Sequence, residues 1–213
     1  MKNNWDIENE FYWSTGKERL NKALAHYEIY KKIVDLPGDV VELGVFKGAS
    51  LIRFLSFRDL LETPHSRKII GLDNFGDFPH EIVKSENDIS FINRFNKEAG
   101  MGLSKDKLEE ILRTKGFENY QLIQGDVFKT IPDLLEERPE MKISLLHLDM
   151  DVYEPTIYSL EKLFSHVVKN GIIVVDDYST VYGATKALDE FIGEIYELKK
   201  LPFYKVPSFF IKK

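Results

Sequence analysis

The stretch I-S-L-L-H-L-D-M-D-V-Y-E-P-T, residues 143–156, determines the predicted fold class. It begins with a largely apolar run over residues 143–148, which is typical of a strand buried on both faces of a parallel sheet. The run is followed by Asp149 and, two residues later, by Asp151. Alternate residues of a strand share a face, so an extended backbone through Asp151 would direct both carboxylates to the same side. Pro155 then predicts the first turn of a helix, where a missing N–H loses no hydrogen bond.

The stretch over residues 172–177 repeats this arrangement. Residues 172–175 are apolar and β-branched, which predicts a second buried strand, and Asp176 and Asp177 follow directly. In open α/β sheets, the carboxyl ends of the parallel strands form the ligand-binding edge. Four carboxylates at one edge repel one another, and a bound divalent cation would relieve that repulsion. We therefore expect a ligand and metal site where these two strands end.

Length and composition limit the class of protein. The 213 residues suit one α/β domain, and 43% hydrophobic and 30% charged residues are ordinary for a globular chain. The net charge of −6 argues against a nucleic-acid partner. The absence of cysteine excludes disulfides, zinc–thiolate sites and thiol nucleophiles. A polar N-terminus and the lack of any apolar run near ~20 residues argue against a signal peptide and a membrane partner, so we expect a cytoplasmic protein.

The first 34 residues predict a polar tail followed by a helix. The tail, residues 1–13, carries aromatic residues such as Trp5 and Trp13. We favour a tail that packs on the domain; a lid or the contact of a homo-oligomer is the alternative. Thr15 and Glu18 match a capping box, which predicts that the helix begins after Thr15.

Residues 40–61 predict a strand, a glycine-containing turn and a helix that begins near Ala49. This is the usual opening of a nucleotide-binding α/β domain. Gly44 would allow a sharp turn and the close approach of a ligand, and Gly48 would let the helix begin close to the strand. The G-x-x-x-G spacing is not the G-x-G-x-x-G dinucleotide fingerprint, and Phe46 fills a position where a pyrophosphate needs bare backbone. A purely structural turn would also explain both glycines.

Two further strands are predicted before residue 143. The strand predicted over residues 68–72 is followed by Asp73, and an acid at this position commonly binds the ribose hydroxyls of a nucleoside. A cap or turn role is the alternative for Asp73. Residues 120–124 form the other strand, and Thr130 is predicted to cap the helix that follows it.

The segment between these two strands, residues 81–116, has the composition of an insertion or lid. Gly100 and Gly102 would serve as its hinge. A surface excursion without function is the alternative. At the C-terminus, residues 202–211 predict two short strands joined near Pro207, which must pair antiparallel because no crossover helix separates them.

Five β–α units followed by an antiparallel hairpin form the layout of the class I S-adenosylmethionine-dependent methyltransferases. We therefore expect a single domain over residues 1–213 with a Rossmann-like α/β fold. Its seven-stranded sheet would be mostly parallel, with a C-terminal antiparallel hairpin. Four segments resemble the macrocin O-methyltransferase family, which includes the mycinamicin and noviose sugar O-methyltransferases: residues 41–50, 71–75, 148–156 and 175–178.

This resemblance implies transfer of a methyl group from S-adenosylmethionine to a sugar hydroxyl with the help of Mg²⁺. It implies Asp149, Asp176 and Asp177 as metal ligands and Asp151 as the general base. The cofactor contacts that it implies are Glu42, Gly44, Phe46, Gly48, Ser50, Asp73, Asn74, Gly125, Asp126, Val127 and Asp149. The acceptor is expected to be a small molecule, namely a deoxysugar, a nucleotide sugar or a glycoside. The chain is shorter than the antibiotic enzymes at its N-terminus and residues 81–116 do not align, which leaves the acceptor's identity open.

Elementary chemistry agrees with the resemblance. A sugar hydroxyl is a poor nucleophile at neutral pH, so a carboxylate-bound Mg²⁺ would polarise it and a further carboxylate would accept its proton. The sulfonium donor carries its own positive charge, and the protein mainly has to align donor and acceptor. Helix capping is the alternative role for Asp151 and Asp177. His147, inside the strand, is interpreted as a core residue rather than a base.

Two other interpretations remain open. The D-x-D pattern also fits the nucleophile motif of the haloacid dehalogenase-like phosphatases, with Asp176 and Asp177 as their metal-binding acids. In those enzymes, however, the D-x-D strand comes first, whereas here it is the fourth. A non-catalytic cofactor-binding protein, or a methyltransferase with another small-molecule acceptor, is the second interpretation, because a fold does not fix a function. The presence of every acid of the motif favours catalysis.

Overall fold

The computed structural model describes residues 3–76 and 83–213. Within them the chain forms seven β-strands and eight α-helices. The strands are β1 (Asp39–Leu43), β2 (Ile69–Asp73), β3 (Tyr120–Gln124), β4 (Ile143–Leu148), β5 (Val167–Val175), β6 (Lys199–Lys200) and β7 (Ser208–Ile211). The helices are α1 (Asn4–Ser14), α2 (Lys17–Tyr30), α3 (Ala49–Leu61), α4 (Glu86–Ala99), α5 (Lys105–Thr114), α6 (Val127–Glu137), α7 (Tyr153–Leu163) and α8 (Tyr182–Ile192). None of these helices is both long and apolar enough to cross a bilayer.

The strands form one sheet in the order β3-β2-β1-β4-β5-β7-β6. Strands β1 to β5 are parallel to their neighbours, whereas β7 runs antiparallel to both β5 and β6. The mostly parallel sheet with an antiparallel C-terminal pair is therefore confirmed. The predicted first strand of the hairpin is displaced: β6 ends before Pro202, which has no N–H to donate to a ladder.

The core lies on both faces of the sheet. On one face, apolar side chains of α2, α3 and α5 pack on the strands, and on the other face those of α6, α7 and α8 do so. Alternate residues of each central strand serve opposite faces: Leu145 faces the first set of helices, and Leu146 faces the second. Burial on both sides explains why β4 reads as a nearly continuous apolar run.

The proposed insertion at residues 81–116 is only partly separate from the core. Residues 81 and 82 lie outside the described residues. Helix α5 buries Leu108 and Leu112 completely, in the same cluster as Leu122 of β3. It therefore serves as the crossover helix that parallel strands β2 and β3 require, and its assignment to an insertion is wrong. Helix α4 is the additional element.

Two predicted helix caps are wrong. The Thr15 hydroxyl donates to the carbonyl oxygen of Phe11 and belongs to the end of α1, while α2 has Gly16 as its N-cap without a side-chain hydrogen bond. Thr130 lies inside α6, whose N-cap is Asp126; its carboxylate accepts a 3.0 Å hydrogen bond from the backbone N–H of Phe128. An aspartate one turn earlier is an equally good cap, and here it starts the helix.

The described part of the N-terminal tail is helix α1, and none of its residues is buried. Trp5 is 75% exposed and Trp13 is 80% exposed. The favoured prediction, a tail that packs on the domain, is therefore wrong for residues 3–13. The alternative of a lid or a homo-oligomer contact stays a prediction.

Candidate active site

The turn after β1 lies directly against the end of β4. Gly44 has a φ of 88°, and a Cβ built on it would lie 2.0 Å from the carbonyl oxygen of Asp149. The Gly44 N–H donates to Leu72, and the Asp149 N–H donates to Leu43. Any other residue would therefore need both a left-handed backbone and space that the Asp149 backbone occupies. The predicted sharp turn is present, and it brings Asp149 close to β1.

Asp73, at the end of β2, holds this turn in place. Its Oδ2 accepts hydrogen bonds from the backbone N–H groups of Val45 and Phe46, at 2.7 and 2.9 Å, and its Oδ1 accepts one from Phe75. The turn role that sequence left open for Asp73 is thus present. Asp73 also lines the cavity described next, so its carboxylate borders the space that a ligand would occupy.

A cavity of about 410 Å³ lies over the carboxyl ends of the parallel strands. This volume falls within the range of about 300–1,000 Å³ that is usual for small-molecule sites. Eight of the predicted cofactor residues line it: Gly44, Phe46, Asp73, Asn74, Gly125, Asp126, Val127 and Asp149. The structure therefore brings most of the predicted cofactor residues to one concave surface.

Three predicted cofactor residues are not brought to this surface. Glu42 is completely buried, with Oε1 3.2 Å from Nδ1 of His147. Gly48 is the left-handed N-cap of α3, and a Cβ on it would lie 2.5 Å from a methyl group of Leu108. Ser50 is buried in the first turn of α3. Glu42 contacts a core side chain, and Gly48 and Ser50 belong to the start of α3.

Helix α4 and the segment that follows it form a wall of the cavity. Phe91 and Phe95 stack on each other at 5.7 Å between ring centroids, and both line the cavity. Gly100 and Gly102, the proposed hinge, line it as well. The wall is joined to the glycine turn, since the Lys47 ammonium donates to the carbonyl oxygen of Ala99 at 2.7 Å. Movement of this wall stays a prediction.

Three carboxylates gather at the opposite side of the cavity. Asp149, Asp151 and Asp177 each offer an oxygen within 4.8 Å of the others, and all three line the cavity. The predicted extended backbone from Asp149 to Asp151 is wrong, because β4 ends at Leu148 and Asp151 has a left-handed φ of 66°. A tight turn, closed by a 2.7 Å hydrogen bond from the Val152 N–H to the Met150 carbonyl oxygen, brings Asp151 back beside Asp149.

Neither Asp151 nor Asp177 caps the helix that follows it. Val152 is the N-cap of α7, and Val181 is that of α8, both without a side-chain hydrogen bond. The first N–H of α7, on Tyr153, donates instead to Oδ2 of Asp88 at 3.0 Å. Asp88 of α4 takes the capping role, so the carboxylate of Asp151 is free to face the cavity.

Burial and mutual repulsion change the proton affinity of this cluster. Burial raises the pKa of Asp151 well above its usual value, and the charges of Asp177 and Asp149 raise it further. Burial and the charge of Asp176 raise the pKa of Asp149 in the same direction. The raised pKa values of Asp149 and Asp151 mean that nearby positive charge does not offset burial and the repulsion between the carboxylates.

Asp176 belongs to a second, fully buried cluster beneath the first. Its Oδ1 lies 3.3 Å from Nε2 of His26 and 3.4 Å from Nε2 of His147, and its Oδ2 contacts the ammonium of Lys22. Burial alone would raise the pKa of Asp176, but Lys22 and the two imidazoles lower it well below its usual value. The structure thus pairs Asp176 with cations and does not include it in the three-carboxylate cluster.

The two histidines of the buried cluster differ in charge. Burial alone would lower the pKa of His147, but hydrogen bonds to Asp176 and Glu42 raise it to about 10. His147 is therefore a charged core residue that donates from both ring nitrogens. Burial lowers the pKa of His26 to about 4, so its ring is neutral at pH 7.

Three polar residues of the site carry no motif and were missed by sequence reasoning: Lys22, His26 and Asp88. A signal for the first two exists, because Lys22 and His26 are one turn apart and share a face of α2 with the buried Ile29. Polar side chains on an apolar helix face need a buried partner. Nothing in the sequence identifies Asp176 as that partner.

These features permit comparison with known proteins. The family model described as Macrocin-O-methyltransferase (TylF) matches residues 3–199. The chain belongs to the macrocin O-methyltransferase family. The resemblance inferred from residues 41–50, 71–75, 148–156 and 175–178 is therefore confirmed.

Two similar proteins are named as O-methyltransferases. The 8-demethyl-8-(2,3-dimethoxy-alpha-L-rhamnosyl)-tetracenomycin-C 4'-O-methyltransferase of Streptomyces olivaceus is 28% identical over 148 residues, which cover 68% of this chain and 54% of that protein. The demethyldecarbamoylnovobiocin O-methyltransferase of Streptomyces niveus is 26% identical over 163 residues, which cover 74% of this chain and 59% of that protein. The chain thus spans little more than half the length of these relatives.

Solved structures share the fold. The calicheamicin methyltransferase CalS11 aligns with a TM-score of 0.83 at 25% identity, over 98% of this chain and 85% of that chain. The O-methyltransferase NovP aligns with a TM-score of 0.74 at 20% identity, over 90% of this chain and 79% of that chain, which is a likeness of fold. The predicted α/β methyltransferase fold is confirmed.

Proposed function

We propose that this protein is an S-adenosylmethionine- and Mg²⁺-dependent O-methyltransferase that acts on a hydroxyl group of a sugar. The observation that carries the proposal is the cluster of Asp149, Asp151 and Asp177, which faces a cavity of about 410 Å³ at the carboxyl edge of the sheet. Family membership supports the reaction class. Beyond the methyl donor, O-methylation needs a bound cation and a base, and the carboxylates would hold the cation and act as the base.

The cofactor would lie over the ends of β1, β2 and β3. Asp73 would accept a hydrogen bond from a ribose hydroxyl at the one acceptor site that the turn leaves free, and Asp126 and Val127 would border the adenine. Gly44 and Asp149 both line the cavity, so the methionine part would lie against the turn after β1. Phe91 and Phe95 would exclude water from this side.

The metal would be held by Asp149, Asp176 and Asp177. Carboxylate oxygens are the ligands that Mg²⁺ prefers, and the site's shortage of positive charge fits a bound cation. When bound, the ion would polarise the acceptor hydroxyl. Asp176 now contacts Lys22, so this ligand set requires the ammonium to move.

Asp151 would accept the proton of the acceptor hydroxyl. Its carboxylate lines the cavity, does not cap α7 and lies beside Asp149. The left-handed turn at Asp151 fixes this position, because the backbone reverses between Met150 and Val152. Removing the proton as the oxygen attacks the methyl group is the general-base contribution.

The sugar acceptor rests on what related proteins are named for. One relative's name specifies a rhamnosyl tetracenomycin, and one structure of CalS11 is described as a TDP-rhamnose 3'-O-methyltransferase. A deoxysugar, free or carried on a nucleotide or a glycoside, is therefore the acceptor that we propose. Another small-molecule acceptor and a non-catalytic cofactor-binding protein are the alternatives.

Isothermal titration with S-adenosylhomocysteine, with and without Mg²⁺, tests this function directly. We expect binding of the cofactor product under both conditions and a separate Mg²⁺ isotherm that Asp177→Asn weakens. Absence of S-adenosylhomocysteine binding would contradict the methyltransferase assignment. Cofactor binding combined with turnover of catechol, and none of a deoxysugar, would contradict the proposed acceptor.

A further inference from the structure

Lys22 is a cation placed among the residues proposed as metal ligands. Its ammonium contacts Oδ2 of Asp176, and its side chain lines the cavity. Asp149 and Asp177 line the same cavity as Lys22. Lys22 thus contacts one of the three carboxylates that would hold Mg²⁺ and lines the same cavity as the other two.

Helix α2 fixes the position of this ammonium. The helix buries Ala25, Ile29 and Tyr30 against the sheet. His26, one turn after Lys22, stacks on Phe54 at 5.2 Å between ring centroids and lies 3.3 Å from the same carboxylate. Two consecutive turns of α2 therefore meet Asp176, and the contact is part of the packed core rather than a chance meeting of surface charges.

We infer that the Lys22 ammonium occupies a cation position at Asp176, and that a divalent cation binds this carboxylate together with Asp149 and Asp177 only by displacing the ammonium. The inference deepens the proposed function and rests on its metal site. A tethered ammonium neutralises part of the repulsion between the carboxylates and keeps them together when no metal is bound. It also competes with the metal, because two cations at one position repel each other.

Displacement is structurally feasible. The Lys22 side chain is a flexible four-carbon stem with a single charged group at its end. The ammonium borders the open cavity, which also receives Arg19 from the preceding turn of α2. A rotamer change can therefore move the charge away from Asp176 without moving the helix. Lys22 is a positioning residue in this scheme, since it sets how strongly the carboxylates bind a metal.

Metal titration without any turnover tests the inference. Mn²⁺ or Mg²⁺ is titrated calorimetrically into the unmodified protein and into Lys22→Gln, which removes the charge and keeps a hydrogen-bond donor for Asp176. We expect Lys22→Gln to bind the metal about tenfold more tightly or better, because a like charge is removed from the site. The metal should also raise the melting temperature of Lys22→Gln by more than that of the unmodified protein.

Two variants of α2 serve as matched controls. Lys31→Gln removes an exposed ammonium that pairs with Glu28, and its metal affinity should equal that of the unmodified protein. Arg19→Gln removes a positive charge that lines the cavity but does not contact Asp176. Its gain in metal affinity should be clearly smaller than that of Lys22→Gln. S-adenosylhomocysteine binding identifies the variants that are folded. If Lys22→Gln does not fold, Lys22→Met provides the same comparison.

The outcomes separate this inference from the proposed function. Equal metal affinity in the unmodified protein and Lys22→Gln overturns the inference and leaves the metal site standing. An equal gain in the metal affinity of Arg19→Gln also overturns the inference, because the effect then comes from the overall charge of the cavity and not from the contact with Asp176. If neither protein binds the metal while both bind S-adenosylhomocysteine, the inference and the metal part of the proposed function fall together.

Discussion

At the residue scale, Asp151 has the clearest single task. Its left-handed backbone is a conformation that aspartate and asparagine tolerate better than most residues. Because Val152 rather than Asp151 is the N-cap of α7, the capping role that sequence left open does not account for the side chain. A carboxylate in an unusual backbone conformation beside two others is better explained by the reaction.

We expect Asp151→Asn to fold and to bind S-adenosylmethionine normally, because asparagine keeps the shape and the backbone preference. Its kcat should fall by roughly 10²–10⁴, the contribution of a positioned general base. Steady-state kinetics on Asp151→Asn and on the exposed control Asp133→Asn measure this. A kcat within a few-fold of the unmodified protein would assign proton removal to another group.

Gly44 illustrates a residue whose side chain is excluded by another backbone. Gly44→Ala would place a methyl group 2.0 Å from the Asp149 carbonyl oxygen at a φ of 88°. We expect a loss of about 2 kcal/mol or more in the free energy of unfolding, measured by urea denaturation.

Gly116→Ala is the matched control, since Gly116 also has a positive φ, of 75°, but no heavy atom lies within 4 Å of the built Cβ. It should cost only the backbone term of about 1–2 kcal/mol. Equal losses at both positions would show that the close approach to Asp149 adds nothing.

At the scale of elements, a buried side chain joins α4 to the start of α7. Asp88 is completely buried, and its Oδ2 accepts a hydrogen bond from the first N–H of α7. Gly183, in the first turn of α8, lies so close to this carboxylate that a Cβ built on it would clash with Asp88 Oδ2. Asp88 therefore ties the cavity wall to the helix that follows Asp151.

We expect Asp88→Ala to lose about 1–2 kcal/mol of stability, the usual effect of removing an N-cap carboxylate that has buried partners. The KM for S-adenosylmethionine should rise, because α4 loses its attachment beside the cavity. Asp106→Ala, in the exposed first turn of α5, is the control. An unchanged KM together with lower stability would restrict Asp88 to a capping role.

The accuracy of the sequence predictions depends on how local each signal is. The bounds of β3, β4 and α3 agree to the residue with the prediction, since apolar runs and a glycine before a helix are short-range signals. Thr15 and Thr130 failed as caps because a neighbouring residue, Gly16 or Asp126, starts each helix instead. A cap depends on which of several adjacent candidates the tertiary structure selects.

The site residues also differ in how local their sequence signals are. Parallel strands that end on acids predict carboxylates at one edge, and Asp149, Asp151 and Asp177 do meet there. Lys22 and Asp88 reach this edge from helices distant in sequence, and no local pattern reports such contacts. The turn at Asp151 was also not predictable, because its left-handed conformation is accompanied by a contact distant in sequence, a 2.9 Å hydrogen bond from the Ala184 N–H to the Asp151 carbonyl oxygen.

At the scale of the whole molecule, the charge pattern and the fold support one chemistry. The protein has a net charge of −6, and acidic residues are concentrated where β4 and β5 end. The partly buried Lys22 of α2 and the buried His147 of β4 balance only part of this charge. An acidic sheet edge is what the proposed binding of a positively charged sulfonium donor and a divalent cation would require.

Methyl transfer from S-adenosylmethionine to a panel of deoxysugars and nucleotide deoxysugars, with catechol as the control acceptor, tests metal-dependent sugar O-methylation most directly. The protein is assayed as purified, after EDTA treatment, and after Mg²⁺ is added back. We expect turnover of at least one sugar acceptor that EDTA abolishes and Mg²⁺ restores, with no turnover of catechol. Full activity on a sugar in excess EDTA would contradict the role of the metal, and turnover of catechol alone would contradict the sugar acceptor.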